Sequence, residues 1–148
     1  MKSDFEVFDA IKELDFEFSG SASQELIEKA EKVIGYAFPI EYREFLSRFG
    51  RGDVEGLDIY GLIGPDFYNA SAPDAIWVTL DQRRHGLEEE FLVISEDGYG
   101  SLYLLCLADR EDYKLGAVYE APIASQKYYL INESFTDFIR DFVNEIMP

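Results

Sequence analysis

The stretch FLVISEDGYGSLYLLCL, residues 91–107, decides the fold because it contains two strand-like segments joined by a tight reversal. Residues 91–95 and 101–107 are apolar and rich in branched or aromatic side chains, a composition that favours β-strands. Between them, Asp97-Gly98 supplies the positive φ angles that a hairpin turn needs. We therefore expect an antiparallel hairpin at the centre of the fold.

Further short strands are expected on both sides of this hairpin. A second turn at 109–112 leads to a strand near 117–119 and another at 128–131. Upstream, the glycine-punctuated stretch 53–71 is loop-rich and holds one short strand, at 57–60 or slightly longer. The predicted sheet is a meander of antiparallel strands.

Helical periodicity dominates the chain before residue 53 and at its end. Four segments place apolar residues at the three- and four-residue spacing of one helix face. The four stripes are Phe5, Phe8, Ile11 and Leu14 in a helix at 4–14; Leu26, Ile27, Ala30, Val33 and Ile34; Tyr42, Phe45, Leu46 and Phe49; and Phe135, Phe138, Ile139, Phe142, Val143 and Ile146. N-terminal helices, an antiparallel meander sheet and a closing C-terminal helix predict an α+β fold, with one domain over residues 1–148.

Capping residues set the expected ends of the N-terminal helices. Ser21 with Gln24 can form a capping box, but Ser23 can equally be the N-cap of the second helix. Gly35 is expected to end that helix, since a C-terminal glycine commonly does so. Pro39 is well placed to open the third helix, where its missing N–H costs nothing.

One more helix is predicted between the loop-rich stretch and the hairpin. Ser71 with Asp74 is expected to cap it, with Pro73 in its first turn. It would run to about Arg84.

Charge is the strongest compositional signal. Lys and Arg total 13 against 30 Asp and Glu, so the formal net charge is −17. Such a surface repels nucleic acid and anionic membranes, and it attracts basic proteins and speeds their encounter. The alternative interpretation is that the charge serves solubility alone.

Cysteine content and the absence of targeting signals favour a cytoplasmic protein. Cys106 is the only cysteine, so no disulfide can form within the chain, and its apolar neighbours predict that it is a buried small hydrophobe. Met1-Lys2-Ser3-Asp4-Phe5 does not resemble a signal peptide, and no apolar run is long enough for a transmembrane helix.

Catalytic, cofactor and metal sites are not predicted. His85 is the only histidine, and it follows two arginines at a predicted helix end, where a cation is favourable. It could serve as a general base, but no nucleophile motif or glycine-rich phosphate loop accompanies it. Asp109, Glu111 and Asp112 alternate loosely like a calcium loop but lack the rest of that pattern.

The acidic turns are instead candidate docking surfaces, because turns are exposed by default. The alternative is that they are merely solvated charge runs. Neighbouring Tyr99, Tyr60 or Tyr68 would act as aromatic anchors. The predicted binding residues are Glu88, Glu89, Glu90, Glu96, Asp97 and Tyr99, with Asp53, Glu55 and Asp58 as a second patch.

A series of glycine, proline and aromatic positions extends along nearly the whole chain. It comprises Gly20, Ser23, Ile27, Glu31 and Gly35; Pro39, Tyr42, Phe45, Leu46 and Gly50; Tyr60-Gly61; Asp97-Gly98-Tyr99-Gly100 with Leu102-Tyr103-Leu104; and Ser134-Phe135-Thr136-Asp137-Phe138. Over residues 18–146 this order resembles the SUKH superfamily, which includes bacterial immunity proteins and a yeast cell-wall synthesis regulator. Cys106-Leu107-Ala108 depart from the pattern, because the family often has an Asp soon after this strand.

The resemblance implies a small α+β domain without catalytic residues. Many bacterial members accompany polymorphic toxins, often nucleases, and neutralise them by binding through a surface that differs between members. A nuclease must be basic where it grips phosphates, so a chain with a net charge of −17 is suited to occupy that surface.

The leading hypothesis is therefore an immunity protein, or antitoxin, that binds a cognate toxin with a basic nuclease domain in the cytoplasm. A regulatory module that binds an endogenous protein is the alternative. An enzyme of unknown type would instead require a deep pocket around His85 or a close carboxylate pair. Sheet edges and exposed tyrosines also leave room for a weak homodimer.

Overall fold

The chain places helices at both ends and two antiparallel sheets between them. The computed structural model describes residues 5–12, 16–18, 20–54, 57–122 and 127–146. The helices are α1 (Glu6–Lys12), α2 (Gln24–Ile34), α3 (Ile40–Phe49), α4 (Ala75–Arg83) and α5 (Phe135–Ile146). The strands are β1 (Phe16–Phe18), β2 (Gly52–Val54), β3 (Leu57–Ile59), β4 (Phe91–Glu96), β5 (Leu102–Cys106), β6 (Val118–Ala121) and β7 (Tyr129–Asn132). This arrangement confirms the predicted α+β class.

The strands form two sheets, and β3 of one sheet lies beside β4 of the other. β1, β2 and β3 pair in that order, and β4 to β7 form a four-stranded antiparallel meander. The N–H of Tyr60, just after β3, donates to the carbonyl of Ile94 in β4 at 2.7 Å. The expected reversal between β4 and β5 is confirmed, and Gly98 within it has a φ of 85°.

The three-stranded sheet is the largest difference from the sequence prediction. β3 corresponds to the single strand expected at 57–60, but β1 and β2 were not predicted. Each of those two has only three residues, too few to show the alternation that marks a strand.

Most of the predicted helix faces are buried. Ser23 rather than Ser21 is the N-cap of α2, where its Oγ accepts from the N–H of Leu26 at 3.1 Å. Gly35 ends α2 with a φ of 94°. Leu14 and the side chain of Ile146 lie outside the described residues. The stripe residues that are buried are Phe8, Ile11, Ile27, Ala30, Ile34, Tyr42, Phe45, Leu46, Phe49, Phe135, Phe138, Ile139 and Val143.

The predicted cap of α4 is wrong. Asp74, not Ser71, is the N-cap: its carboxylate accepts from the N–H groups of Ile76 and Trp77, each at 2.9 Å. Ser71 lies three residues too early to reach those donors, and Pro73 precedes the helix instead of lying in its first turn. A side chain as short as that of Ser or Asp can cap only the helical turn that directly follows it. Asp74 therefore caps α4 and Ser71 does not.

An aromatic cluster forms the core beneath α1, α3 and α5. Tyr42 lies at its centre, with its ring 5.1 Å from that of Phe135 in an edge-on arrangement. The Tyr42 hydroxyl donates to the carbonyl of Tyr60 at 2.7 Å, and burial raises the pKa of Tyr42 well above its usual value. Cys106 is fully buried, as predicted, and burial raises the pKa of its thiol.

Gly61 holds the loop after β3 against the end of α3. The N–H of Leu62 donates to the carbonyl of Gly50 at 2.8 Å, so the two backbones are in direct contact. A Cβ at Gly61 would lie 1.7 Å from that carbonyl oxygen. Only glycine permits such an approach.

Candidate protein-binding surface

The residues predicted to bind a partner lie near the two ends of β4. Glu88, Glu89 and Glu90 precede the strand, whereas Glu96 ends it. Six residues separate the two ends, which corresponds to about 20 Å in an extended strand. The residues proposed as one patch therefore do not share one surface.

The first surface is the Arg110 cluster, which consists of Glu88, Glu90 and Arg110. The Arg110 guanidinium forms ion pairs with the carboxylate of Glu88 and, at 2.7 Å, with that of Glu90. It also lies 5.5 Å from the ring centre of Tyr113. Much of the charge of these two glutamates is therefore offset within the chain, and Glu89 is the exposed member of the acidic triplet.

The second surface is the Tyr60 patch, made of Asp53, Asp58, Glu96 and Tyr60. Asp53 and Asp58 are direct cross-strand neighbours in β2 and β3. Burial raises the pKa of Tyr60 to about 12, and the nearby Glu96 and Asp58 carboxylates contribute to the rise. The structure thus joins Glu96 to the residues predicted as a separate second patch.

Two details limit what the Tyr60 patch can offer to a partner. Tyr60 is only 4% exposed, so its predicted role as an anchor is wrong: its side chain is part of the hydrophobic core. Asp58 forms an ion pair with Arg51, which offsets part of its charge. Glu55, also predicted here, lies outside the described residues.

The tip of the β4–β5 hairpin carries the most exposed of the predicted aromatic residues. Tyr99 is 88% exposed. Asp97 shapes the turn, because its Oδ1 accepts from the N–H of Tyr99 at 2.7 Å and from that of Ser101 at 3.1 Å. Tyr68 is also exposed, but it lines a separate groove of about 400 Å³ with Phe67 and Trp77.

A groove of about 390 Å³ opens between the four-stranded sheet and α5, and it begins at the hairpin tip. We call it the α5 groove. It combines aromatic and apolar walls with three carboxylates. Its lining residues are Asp97, Tyr103, Glu120, Ile131, Asn132, Phe138, Asp141 and Phe142.

The aromatic wall of the α5 groove follows from ordinary helix and sheet geometry. Phe138 and Phe142 are four residues apart and so share one face of α5. Tyr103 faces them from β5, and its ring centre lies 5.3 Å from that of Phe138. Tyr103 is also the direct cross-strand neighbour of Glu120 in β6, which brings a carboxylate beside the rings.

The carboxylates of the α5 groove are not neutralised by the chain. Among the ion pairs of the described residues, none includes Asp97, Glu120 or Asp141. Asp141 instead accepts a hydrogen bond from the Asn132 amide at 2.7 Å. Unpaired carboxylates beside aromatic rings suit a Lys or Arg side chain, whose stem packs on the rings while its charge meets the acids.

Sequence reasoning identified only Asp97 among these groove residues. Phe138 and Phe142 belong to the predicted apolar stripe of the C-terminal helix, and both line the groove, although Phe138 is buried and Phe142 is half-buried. Glu120 and Asp141 gave no local signal, since nothing in their own segments shows that β6 and α5 enclose a groove.

The single histidine lies away from this groove. His85 is exposed just beyond the end of α4, where its Nδ1 is 2.9 Å from the carbonyl oxygen of Asp81. His85 does not line the α5 groove, the groove beside Tyr68 and Trp77, or the groove beside Gly35 and Tyr36. The surface offers carboxylates and rings, which is the chemistry of binding a cationic protein.

Comparison with known proteins places these features in a family context. The family described as SMI1-KNR4 cell-wall, SUKH_5, matches residues 6–144, from the start of α1 into the last turn of α5. No curated protein matches the chain. Within the described ranges, no helix is long and apolar enough to cross a membrane.

Proposed function

The chain belongs to the SUKH superfamily, in its SMI1-KNR4 family, and from that premise we propose that it is an immunity protein that binds a cognate bacterial toxin. Family membership makes it an immunity- or cell-wall-regulator-like domain. The finer proposal is that it acts in the cytoplasm, without catalysis of its own, and blocks the toxin by occupying its basic surface.

The α5 groove is the observation that carries this proposal. It holds three carboxylates with no ion pair among the described residues, next to the rings of Tyr103 and Phe138. Tight protein inhibitors combine such charge with aromatic contacts, because charge steers the encounter and buried rings supply affinity. The exposed Tyr99, two residues after the groove residue Asp97, adds a further anchor.

Net charge supports a nuclease as the toxin. A formal charge of −17 speeds association with a basic protein and opposes association with nucleic acid. A nuclease binds its nucleic-acid substrate along a positively charged path, and this acidic surface is suited to bind the same path. A protein that occupies that path excludes the substrate without any chemical step.

A cellular rescue assay tests the proposal. Each toxin gene found beside the gene for this chain is expressed alone and together with the chain, and growth is measured. We expect the chain to restore growth. The double variant Glu120→Gln with Asp141→Asn, which removes two groove charges while keeping side-chain size, is expected to lose that protection.

Glu111→Gln with Asp112→Asn provides the matched control. Both residues are exposed in the loop after β5, and the double variant changes the net charge by the same amount. It is expected to protect as well as the unaltered chain. Unrestored growth with the unaltered chain, or equal losses of protection in both double variants, would contradict the proposal.

The regulatory alternative has one observation in its favour, which is the cell-wall description of the matching family. In that case the groove would bind an endogenous protein of the producing cell. Genomic position distinguishes the two functions, because an immunity gene lies beside a toxin gene. Deletion of a regulator would alter growth in the absence of any toxin.

A further inference from the structure

β7 is the outer strand of the four-stranded sheet, and three of its four residues have large, exposed apolar side chains. It pairs with β6, and no other backbone hydrogen bond joins Tyr129–Asn132 to a described residue. Tyr129, Leu130 and Ile131 are 53%, 52% and 37% exposed. The unpaired backbone N–H and C=O groups of such an edge form a template for pairing with another strand, and the exposed apolar side chains on both faces of β7 can pack against that strand.

The surroundings of this edge are acidic. Glu120 is the direct cross-strand neighbour of Tyr129, and Asp141 is bonded to Asn132 at the other end of β7. Glu133 follows the strand and forms an ion pair with Lys114. Ile131 also lines the α5 groove, so the edge and the groove are continuous.

We propose that β7 accepts an extended, basic segment of the partner protein as an added β-strand beside the α5 groove. This inference rests on the proposed function and specifies how the partner docks. A strand added outside β7 would lie about 4.8 Å from it. Its Lys or Arg side chains would pack their stems on Tyr129 and Ile131 and direct their charges to Glu120 and Asp141.

A second copy of the chain fits this edge poorly. Pairing β7 with β7 would bring two sets of Glu120, Glu133 and Asp141 together across the new interface. Each copy carries a formal charge of −17, so the approach is opposed at long range as well. A basic segment with alternating apolar residues satisfies both the open backbone edge and the charge.

Two capped hexapeptides test the inference directly. Lys-Val-Lys-Val-Lys-Val can add as a strand, whereas Lys-Pro-Lys-Pro-Lys-Pro has the same charge but cannot form the backbone ladder. Each is titrated into the full isotope-labelled chain at low ionic strength, with amide shifts and amide hydrogen exchange as readouts. We expect the first peptide to shift and protect amides of Tyr129–Asn132 and to bind about tenfold more tightly than the second.

A pair of variants separates strand addition from general electrostatics. Leu130→Lys places a charge on the edge, and Leu115→Lys makes the same change at an exposed leucine in the loop before β6. Leu130→Lys is expected to weaken binding of the valine peptide about tenfold, while Leu115→Lys leaves it nearly unchanged. Thermal unfolding of both variants confirms that each is folded.

Three results would overturn the inference. Equal affinity of the two peptides would show that the charge of the peptide alone determines binding. Shifts confined to the Arg110 cluster or the Tyr60 patch would place binding elsewhere. Sedimentation that shows a dimer of the unaltered chain, dispersed by Leu130→Lys, would assign the edge to a second copy.

The same readouts distinguish this inference from the proposed function. If the toxin binds and the groove variant weakens it while amides of β7 remain unprotected in the complex, strand addition fails and the immunity function stands. If the valine peptide adds to β7 but no neighbouring toxin binds, the proposed function fails instead.

Discussion

Replacing Gly61 with alanine is expected to destabilise the whole fold, because a backbone carbonyl occupies the space of the new methyl group. The added Cβ would lie 1.7 Å from the carbonyl oxygen of Gly50, whereas real Cβ atoms stay at least 3.0 Å away, so the two must separate by about 1.3 Å. Both glycines are buried, and the obstacle is backbone, which cannot rotate aside as a side chain can.

The magnitude follows from the contacts at this crossing. A separation of that size breaks the hydrogen bond from the N–H of Leu62 to the carbonyl of Gly50, now 2.8 Å long. An unsatisfied buried group costs about 1–3 kcal/mol, and overpacking adds about 1–3 kcal/mol. The expected loss of about 2–6 kcal/mol is a large part of the 5–15 kcal/mol that typically stabilises a domain.

Urea unfolding followed by circular dichroism measures this loss. With a slope of about 2 kcal/mol per molar, within the usual range for urea, the midpoint should fall by about 1–3 M or the variant should be unfolded in buffer. Gly64→Ala is the matched control, since nothing lies within 4 Å of a Cβ there. We expect it to stay within about 0.5 kcal/mol of the unaltered chain. A similarly small effect of Gly61→Ala would refute the reasoning.

Three further outcomes follow from buried groups. Tyr42→Phe removes the hydroxyl that donates to the carbonyl of Tyr60 at 2.7 Å, and it should cost about 1–3 kcal/mol in the same urea assay, a loss that an unchanged midpoint would disprove. Thr79→Val keeps the shape but removes the oxygen that accepts from the N–H of Val93 at 2.9 Å, so amide exchange at Val93 should accelerate together with a loss of about 1–3 kcal/mol. Cys106 is fully buried with a raised thiol pKa, so labelling by a thiol reagent should be at least about a hundredfold slower in the folded chain than in urea, and equal rates would contradict its burial.

The elements that the sequence predicted are those with a strong local pattern. The apolar stripe of α5 contains buried residues at three- and four-residue spacing, such as Phe135, Phe138 and Ile139. The β4–β5 hairpin follows from Asp97-Gly98 between two apolar segments. In both cases the sequence pattern lies within a few neighbouring residues, so it can be recognised without knowledge of the tertiary structure.

Features that depend on distant contacts could not be predicted in this way. β1 and β2 are too short to show a period, and they exist because β1 pairs with β2 and β2 pairs with β3. Glu120 and Asp141 are 21 positions apart in the chain and lie in one groove only because β6 and α5 pack together. Arg110 pairs with Glu88 and Glu90 across a similar sequence distance, so a run of acidic residues gave no sign that two of them are paired.

Calorimetric titration of the purified chain with the toxin domain encoded beside its gene tests the central claim most directly. We predict that Glu120→Gln with Asp141→Asn raises the Kd about tenfold or more, equivalent to about 1.4 kcal/mol, while Glu111→Gln with Asp112→Asn changes it little. The difference should shrink as salt is added, because exposed charges are screened. Equal Kd values for both double variants at low salt would contradict the assignment of the α5 groove as the binding surface.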